Sequence, residues 1–208
     1  MKTYPIMMNL TGRLVVVVGA GAVGLRRARA LGDAGARVRL VAAQAPAHAE
    51  GIEAELMIRR YDASCLQGAR LVFACSDDRS LNARIASDAR KLGVPVNVAD
   101  HPDDCDFLLP AVARDGEVVL AIGTGGASPA LAGSLRDSLA AALPERTGEF
   151  AAALSKLRKE VKGAVRDSRR RREIMNRLAS EETYRVFLSE GPAAVRETLR
   201  RLLREDQS

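Results

Sequence analysis

The sequence predicts an α/β fold: a parallel sheet covered by helices on both faces, followed by a small helical domain. Three observations carry this. Short apolar runs alternate with amphipathic segments up to Asp100. A glycine turn directly follows the first apolar run and directly opens the first helical segment. From Arg146 onward the chain is nearly all helix former, with breaks at Gly163 and at Gly191–Pro192.

The elements follow in order. Arg13 to Val18 is a short apolar run, and GAGAVG comes at once after it. An Ala/Arg/Leu segment then runs from Val23 to about Ala34, Gly35 closes it, and Arg37 to Val41 is a second β-type run. Strand, turn, helix and strand within about 30 residues form a βαβ unit. Ala54 to Arg60 reads as a third strand and Ala69 to Ala74 as a fourth, ending in Cys75, Ser76 and Asp77–Asp78. Arg79 to Leu92 is a helix with apolar positions Leu81, Ile85, Ala89 and Leu92, and Val94 to Val98 is a fifth strand. Beyond a Pro/Asp-rich loop, Phe107–Ala113 and Glu117–Ile122 read as a hairpin around the Asp115–Gly116 turn signal. Ser128–Pro129 then stands as N-cap and first residue of a helix running to about Leu143.

Gly19, Gly21 and Gly24 form GxGxxG between a strand and a helix. Gly19 permits the tight turn, Gly21 lets backbone N–H groups approach a pyrophosphate, and Gly24 allows close helix–strand packing. In this context the motif points to dinucleotide binding on a Rossmann-like sheet. The alternative is a turn that merely packs the first helix. The second strand ends in Val41, Ala42, Ala43 and Gln44, without the Asp or Glu that an NAD site offers to the ribose. Gln44 or backbone groups would then serve. Arg37 and Arg39 suggest either a 2′-phosphate site or a solvated face, and the solvated face is preferred, with NAD over NADP.

Composition excludes several classes. Aromatics make up 3% and Trp is absent, so the chain lacks platforms for stacking single-stranded bases. No segment approaches the roughly 18 apolar residues of a membrane span. The N-terminus shows no secretory signal, and Cys65, Cys75 and Cys105 form no close pair. Reduced thiols in a cytoplasmic protein are expected. With His48 and His101 as the only histidines, a His-rich metal site is excluded and no metal ligand set is expected. The net charge is +6, and the first 150 residues balance 17 Lys/Arg against 17 Asp/Glu. The surplus therefore lies wholly after residue 150, as a solvated basic face or a surface for an anion. The densest run, Arg169 to Arg172, lies in helix-like sequence without aromatic company, and no nucleic-acid partner is expected.

Open α/β sheets bind ligands beyond the carboxyl ends of their strands. Ser76-Asp77-Asp78, Asp100 and Gly123-Thr124-Gly125-Gly126 fall at such places. Asp77 and Asp78 read as helix caps or as site residues. Asp100 reads as a turn former or as a general base. The loop with Thr124 reads as an anion-binding nest or as a plain turn.

In this order the motifs resemble the precorrin-2 dehydrogenase / sirohydrochlorin ferrochelatase family, which includes the N-terminal half of bacterial siroheme synthase. The stretches that carry the resemblance are VVVVGAGAVGLRRARALGDAGARVRLVA (15–42), FACSDDRSLNARIASDARKLGVPVNVADHPDDCDFLLPA (73–111) and VVLAIGTGGASPALAGSLRDSL (118–139). They cover most of the first 143 residues. The resemblance implies NAD-linked oxidation of precorrin-2 to sirohydrochlorin in siroheme biosynthesis, and in some members insertion of Fe²⁺. It implies a homodimer, a Rossmann-like domain over 1–112, a dimerisation segment over 113–143 and a helical domain over 144–208. The cofactor positions carried over are Gly19, Gly21, Ala22, Val23 and the pair Ala43–Gln44; Gly24 of the glycine turn and Ser76 beyond the fourth strand join them as expected cofactor contacts. The family's essential aspartate falls on Asp100, and a serine or threonine implicated in substrate or metal handling falls on Thr124; Gly125 and Ser128 of the same loop are expected substrate contacts. Gly123 stands where members commonly carry Ser, and Gln44 where a Pro is frequent. The sequence shows no methyltransferase segment, so the chain is not expected to make precorrin-2 itself. Candidates for the substrate's carboxylates are Arg26, Arg27, Arg136 and the tail basics. A competing reading is an NAD-sensing regulator with a basic helical tail, which leaves the Asp100 and Thr124 loops without a task.

Overall fold

A computed structural model describes residues 2–46 and 48–204. The last residues of the expected helical region, 205–208, lie outside the described residues. The chain divides into two compact units: the described part of Met1–Leu109 with Gly125–Ala127, and the described part of Pro110–Thr124 with Ser128–Ser208.

The first unit holds five parallel strands: β1 Leu14–Val18, β2 Arg37–Ala42, β3 Ala54–Ile58, β4 Leu71–Ala74 and β5 Val96–Val98. Their order is β3-β2-β1-β4-β5, so the direction of winding reverses between β1 and β4. Successive side chains point to opposite faces, and both faces of β1 are buried. Val16 and Val18 join Ile85, Ala86 and Ala89 of helix α2 (Arg79–Lys91), while Val15 and Val17 join Ala28 and Leu31 of helix α1 (Ala22–Asp33). A strand buried on both faces reads as an unbroken Val run, as it does here.

Both helices stop at a glycine. After α1, Gly35 takes φ 77°, its N–H reaches Gly32 O at 2.8 Å and Ala36 N–H reaches Leu31 O at 3.0 Å. After α2, Gly93 and Val94 make the same pair of bonds to Arg90 O and Ala89 O. These satisfy carbonyls that the helix ends would otherwise leave orphaned. The reversal corrects one expectation. Leu92, read as part of the apolar face of α2, lies in the turn and is 54% exposed, and Asn82 is buried on that face instead.

Gly24 sits so close to the preceding turn that a Cβ there would run into the Gly19 carbonyl. Gly19 has φ 106°, and a Cβ on it would collide with the Cys75 carbonyl and lie 2.7 Å from Ser76 N. Both glycines are required by close backbone approach.

The second unit opens with a hairpin, β6 Ala111–Asp115 and β7 Val118–Ile122, whose turn is Gly116–Glu117. Helix α3 (Pro129–Ala141) packs on both strands. Four helices follow: α4 Thr147–Ala164, α5 Ser168–Leu178, α6 Glu181–Glu190 and α7 Pro192–Arg204. Their core is Phe150, Leu157, Val161, Ile174, Leu178, Phe187, Val195, Leu199 and Leu202. The expected breaks fall at the end of α4 and at Gly191. A further break, unmarked by Gly or Pro, separates α5 from α6, where Ser180 caps α6 by accepting Thr183 N–H.

Much of the basic surplus is internally engaged. Arg170 pairs with Glu173 at 2.8 Å and donates to Leu202 O, while Arg171 donates to Val165 O and Arg166 O. Arg185, Arg196, Arg200 and Arg204 pair with Glu181, Glu160 and Glu197. Among the described residues no helix is long and apolar enough to cross a membrane.

Gly24→Ala is expected to cost about 1–3 kcal/mol, the range for overpacking a tight site. A fall in the thermal unfolding midpoint checks it, and an unchanged midpoint would refute the contact between α1 and the turn.

Candidate cofactor and active site

The carboxyl ends of the five strands form one edge. The hydrogen-bond ladder runs on past the strands along it: Arg59 N–H to Ala42 O (2.9 Å), Gly19 N–H to Val41 O (2.9 Å), Cys75 N–H to Val18 O (2.7 Å) and Ala99 N–H to Ala74 O (2.9 Å). Gln44, Gly19, Ser76 and Asp100 thus follow strands that lie side by side. The reversal of winding falls between Gly19 and Ser76, where ligands of open α/β sheets bind.

At this point α1 begins. Asp78, Ser128, Asp167 and Ser180 cap α2, α3, α5 and α6 with their side chains, whereas Gly21 starts α1 with no side-chain cap. The first helical bond is Leu25 N–H to Gly21 O, so the amides of Ala22, Val23 and Gly24 precede it. A Cβ on Gly21 would meet nothing within 4 Å. An uncapped helix start beside an open glycine fits a pyrophosphate, whose charge the N–H groups and the helix dipole stabilise. Ala43 and Gln44 are both exposed on the same edge.

Arg39 does not form the solvated face expected of it. Its guanidinium bonds Glu55 Oε1 at 3.1 Å and the carbonyls of Cys65 and Gln67 at 3.2 and 3.3 Å. Arg39 therefore ties β2 to β3 and to the 3₁₀ turn Ala63–Leu66. Arg37 is exposed.

Ser76 is held by a residue the sequence reading passed over. Asn82 Oδ1 accepts Ser76 N–H at 3.1 Å and the Ser76 hydroxyl at 2.7 Å, and Asn82 Nδ2 donates to Ser76 O at 2.8 Å. The signal was a polar residue on the face shared by Ile85, Ala86 and Ala89. Asp78 resolves as the cap of α2, accepting Ser80 N–H and Leu81 N–H, while Asp77 is exposed.

Cys75 lies buried beside the glycine turn. Burial pushes its thiol up to about 11, with Arg27 opposing and the Asp100 charge adding. The half-buried Arg27 is itself held below the ordinary arginine value by burial and by Arg26. Asp100 thus stands close enough to act electrostatically on the floor of the glycine turn.

Asp100 is exposed and takes φ 60°, uncommon for a residue with a side chain. Its carboxylate makes no hydrogen bond or ion pair among the described residues. The following loop turns back through the 3₁₀ turn Pro102–Asp104. Cys105 is buried at its end and His101 is half-buried. Among the described residues no group of three or more His, Cys, Asp or Glu is placed to hold a metal ion.

Thr124 and Ser128 belong to the second unit. Thr124 Oγ1 donates to Ser128 O at 3.1 Å and accepts Ser128 N–H at 3.2 Å. Ser128 Oγ accepts Leu131 N–H at 3.1 Å as the cap of α3. Both hydroxyls build the loop, and Gly125 and Gly126 take φ 63° and 88° within it. Arg136 is paired with Asp137 at 2.7 Å.

Comparison with known proteins bears on this geometry. Residues 6–111 match the model of a family described as putative NAD(P)-binding. The siroheme synthase of Methylococcus capsulatus is 37% identical over 213 residues, covering 95% of this chain and 45% of that protein. That of Pseudomonas fluorescens is 39% identical over 176 residues, covering 83% of this chain and 38% of that protein. The chain thus spans less than half the length of these curated relatives. A solved structure titled SirC, precorrin-2 dehydrogenase, shares the fold with a TM-score of 0.74 over 96% of this chain and 98% of that one, at 24% identity. The resemblance read from the motifs is borne out by relatives along nearly the whole chain. With the glycine turn, the uncapped start of α1 and a family model that spans both, the chain belongs to the putative NAD(P)-binding family.

Proposed function

We propose that the chain is an NAD-dependent precorrin-2 dehydrogenase, oxidising precorrin-2 to sirohydrochlorin in siroheme biosynthesis. The observation that carries this reading is the unpartnered Asp100 carboxylate on the strand edge that holds the uncapped start of α1. Siroheme synthase relatives and the shared fold support it.

Bound NAD⁺ supplies the hydride acceptor. The amides of Ala22, Val23 and Gly24 would hold its pyrophosphate and Ala43 and Gln44 its ribose, while the Ser76 loop, fixed by Asn82, borders the turn. Asp100 takes the proton released as the tetrapyrrole is oxidised, since its carboxylate is exposed and makes no hydrogen bond or ion pair among the described residues. Thr124, Gly125 and Ser128 belong to the loop assigned to substrate, where the amides of Gly125 and Gly126 are the candidates for its carboxylates, that of Ser128 being bound to Thr124 Oγ1. Fe²⁺ insertion into sirohydrochlorin would draw on the same carboxylate to remove pyrrole protons. The free, buried thiols support a reducing, cytoplasmic setting. A regulator with a nucleic-acid-binding tail has less support, because Arg170 and Arg171 of the densest run are spent on internal bonds.

Residues 113–143 are proposed as the dimerisation segment of a homodimer. Leu131, Leu135 and Leu139 recur every four residues on α3 and are 52%, 42% and 46% exposed, a stripe that a second copy would cover.

Anaerobic incubation with precorrin-2 and NAD⁺ is expected to yield NADH, and none from fresh substrate would end the dehydrogenase reading. Asp100→Ala is expected to lower kcat about 10²- to 10⁴-fold while NAD⁺ still binds in calorimetry. Fe²⁺ added to sirohydrochlorin tests chelation separately. Leu135→Lys is expected to convert the dimer to monomer in sedimentation, and an unmutated chain that is already monomeric would remove the dimer assignment.

A further inference from the structure

Val96 and Val98, on the outer strand β5, turn their N–H and C=O groups away from β4. All four outward groups have partners in the returning loop: Asp106, Cys105 and, at 3.4 Å from Val98 O, the His101 N–H. Asp106 Oδ2 accepts Val96 N–H at 3.0 Å, and Asp106 N–H donates to Val96 O at 2.8 Å. Cys105 Sγ accepts Val98 N–H at 3.1 Å and lies 3.3 Å from Val98 O. Sγ is also 3.3 Å from His101 O and accepts from Asn97 Nδ2 at 3.4 Å. Asn97 Nδ2 donates in turn to Phe107 O at 2.9 Å, and Arg90 holds Asp106 at 3.1 Å and Asp104 O at 2.7 Å.

One thiol thus binds backbone on both sides of Asp100: Val98 two residues before it and His101 one residue after. Between these anchors, in a turn that the His101 N–H to Val98 O bond also closes, Asp100 takes the left-handed conformation, uncommon for a residue with a Cβ though Asp tolerates it better than most. Among the described residues the carboxylate has no hydrogen-bond or ion-pair partner, so its position follows from its backbone. A thiol suits the task because it donates and accepts at once, and its long C–S bonds let it reach two carbonyls. Burial keeps it protonated, with the charges of Asp104 and Asp106 acting in the same direction.

We propose that Cys105, steadied by Asn97, is a positioning residue for Asp100: it clasps Val98 and His101 and so aims the carboxylate. The inference rests on Asp100 being the proton acceptor of the proposed function. It predicts that Cys105 acts on the chemical step and not on cofactor binding, which belongs to the glycine turn.

The test is steady-state oxidation of precorrin-2 by the full chain, with NAD⁺ titrated by calorimetry and folding followed by thermal unfolding. Cys105→Ala is expected to lower kcat about 10- to 100-fold, the scale of a 1 Å misplacement, with NAD⁺ affinity unchanged. Cys105→Ser, which keeps a donor and an acceptor, is expected to recover most of that loss. In the Asp100→Ala background, Cys105→Ala is expected to have no further effect, since both act through one carboxylate. Asp100→Ala inactive with Cys105→Ala at full kcat overturns the clasp alone, as does an additive double variant. An Asp100→Ala variant with full activity overturns the catalytic reading and the clasp with it. If Cys105→Ala does not fold, Asn97→Ala decides: a kcat reduced in the same direction supports the clasp, and an unchanged kcat overturns it.

Discussion

The Gly19 turn lies against the Cys75 carbonyl and the Ser76 amide, and α1 presses Gly24 onto Gly19. No side chain fits in either place, so the end of β1, the end of β4 and the start of α1 meet through backbone alone. Three consequences follow from that contact. The uncapped amides of α1 are brought to the strand edge where the winding reverses. Cys75 is sealed beneath them, within reach of the charges of Arg27 and Asp100. The Ser76 backbone is held against the turn, and Asn82 takes up its polar groups from within the α2 face.

The parts of this arrangement written in the sequence are those with a local code. The glycine spacing, the Val run of β1, the Asp115–Gly116 turn signal and the Ser128–Pro129 helix start all specify structure within a few residues. Each stands where it was read, give or take a residue or two. What the sequence hid depends on partners far along the chain. Arg39 looked like half of an exposed pair because alternation describes one strand, and only the fold brings the Cys65 and Gln67 carbonyls to it. Cys105 and Asn97 stand inside a stretch that carries the family resemblance, but their contacts exist only because the loop returns along β5. Ser128 caps α3 as its place before Pro129 predicts, whereas the Thr124 hydroxyl binds the backbone of its own loop, a contact that no local pattern announces.

The charge asymmetry takes on a different meaning in three dimensions. All of the surplus lies after residue 150, yet the most basic run supplies internal bonds as well as surface charge. Guanidinium groups close carbonyls that the bend between α4 and α5 leaves open, which lysine would do less well because it lacks the planar fork. Part of the basic character of this unit is therefore a requirement of its packing.

The cover over β5 also bears on how the chain behaves before and after folding. An open sheet has two margins, and each is a template for another strand. The segment that returns along β5 occupies every outward group of Val96 and Val98, so that margin is closed. The other margin is β3, which borders only β2 and leaves Leu56 and Ile58 42% and 55% exposed. The sheet has one adhesive margin instead of two. An outer strand without a cover is a template for another strand, and in this sheet that strand is β3, at the margin farthest from Asp100.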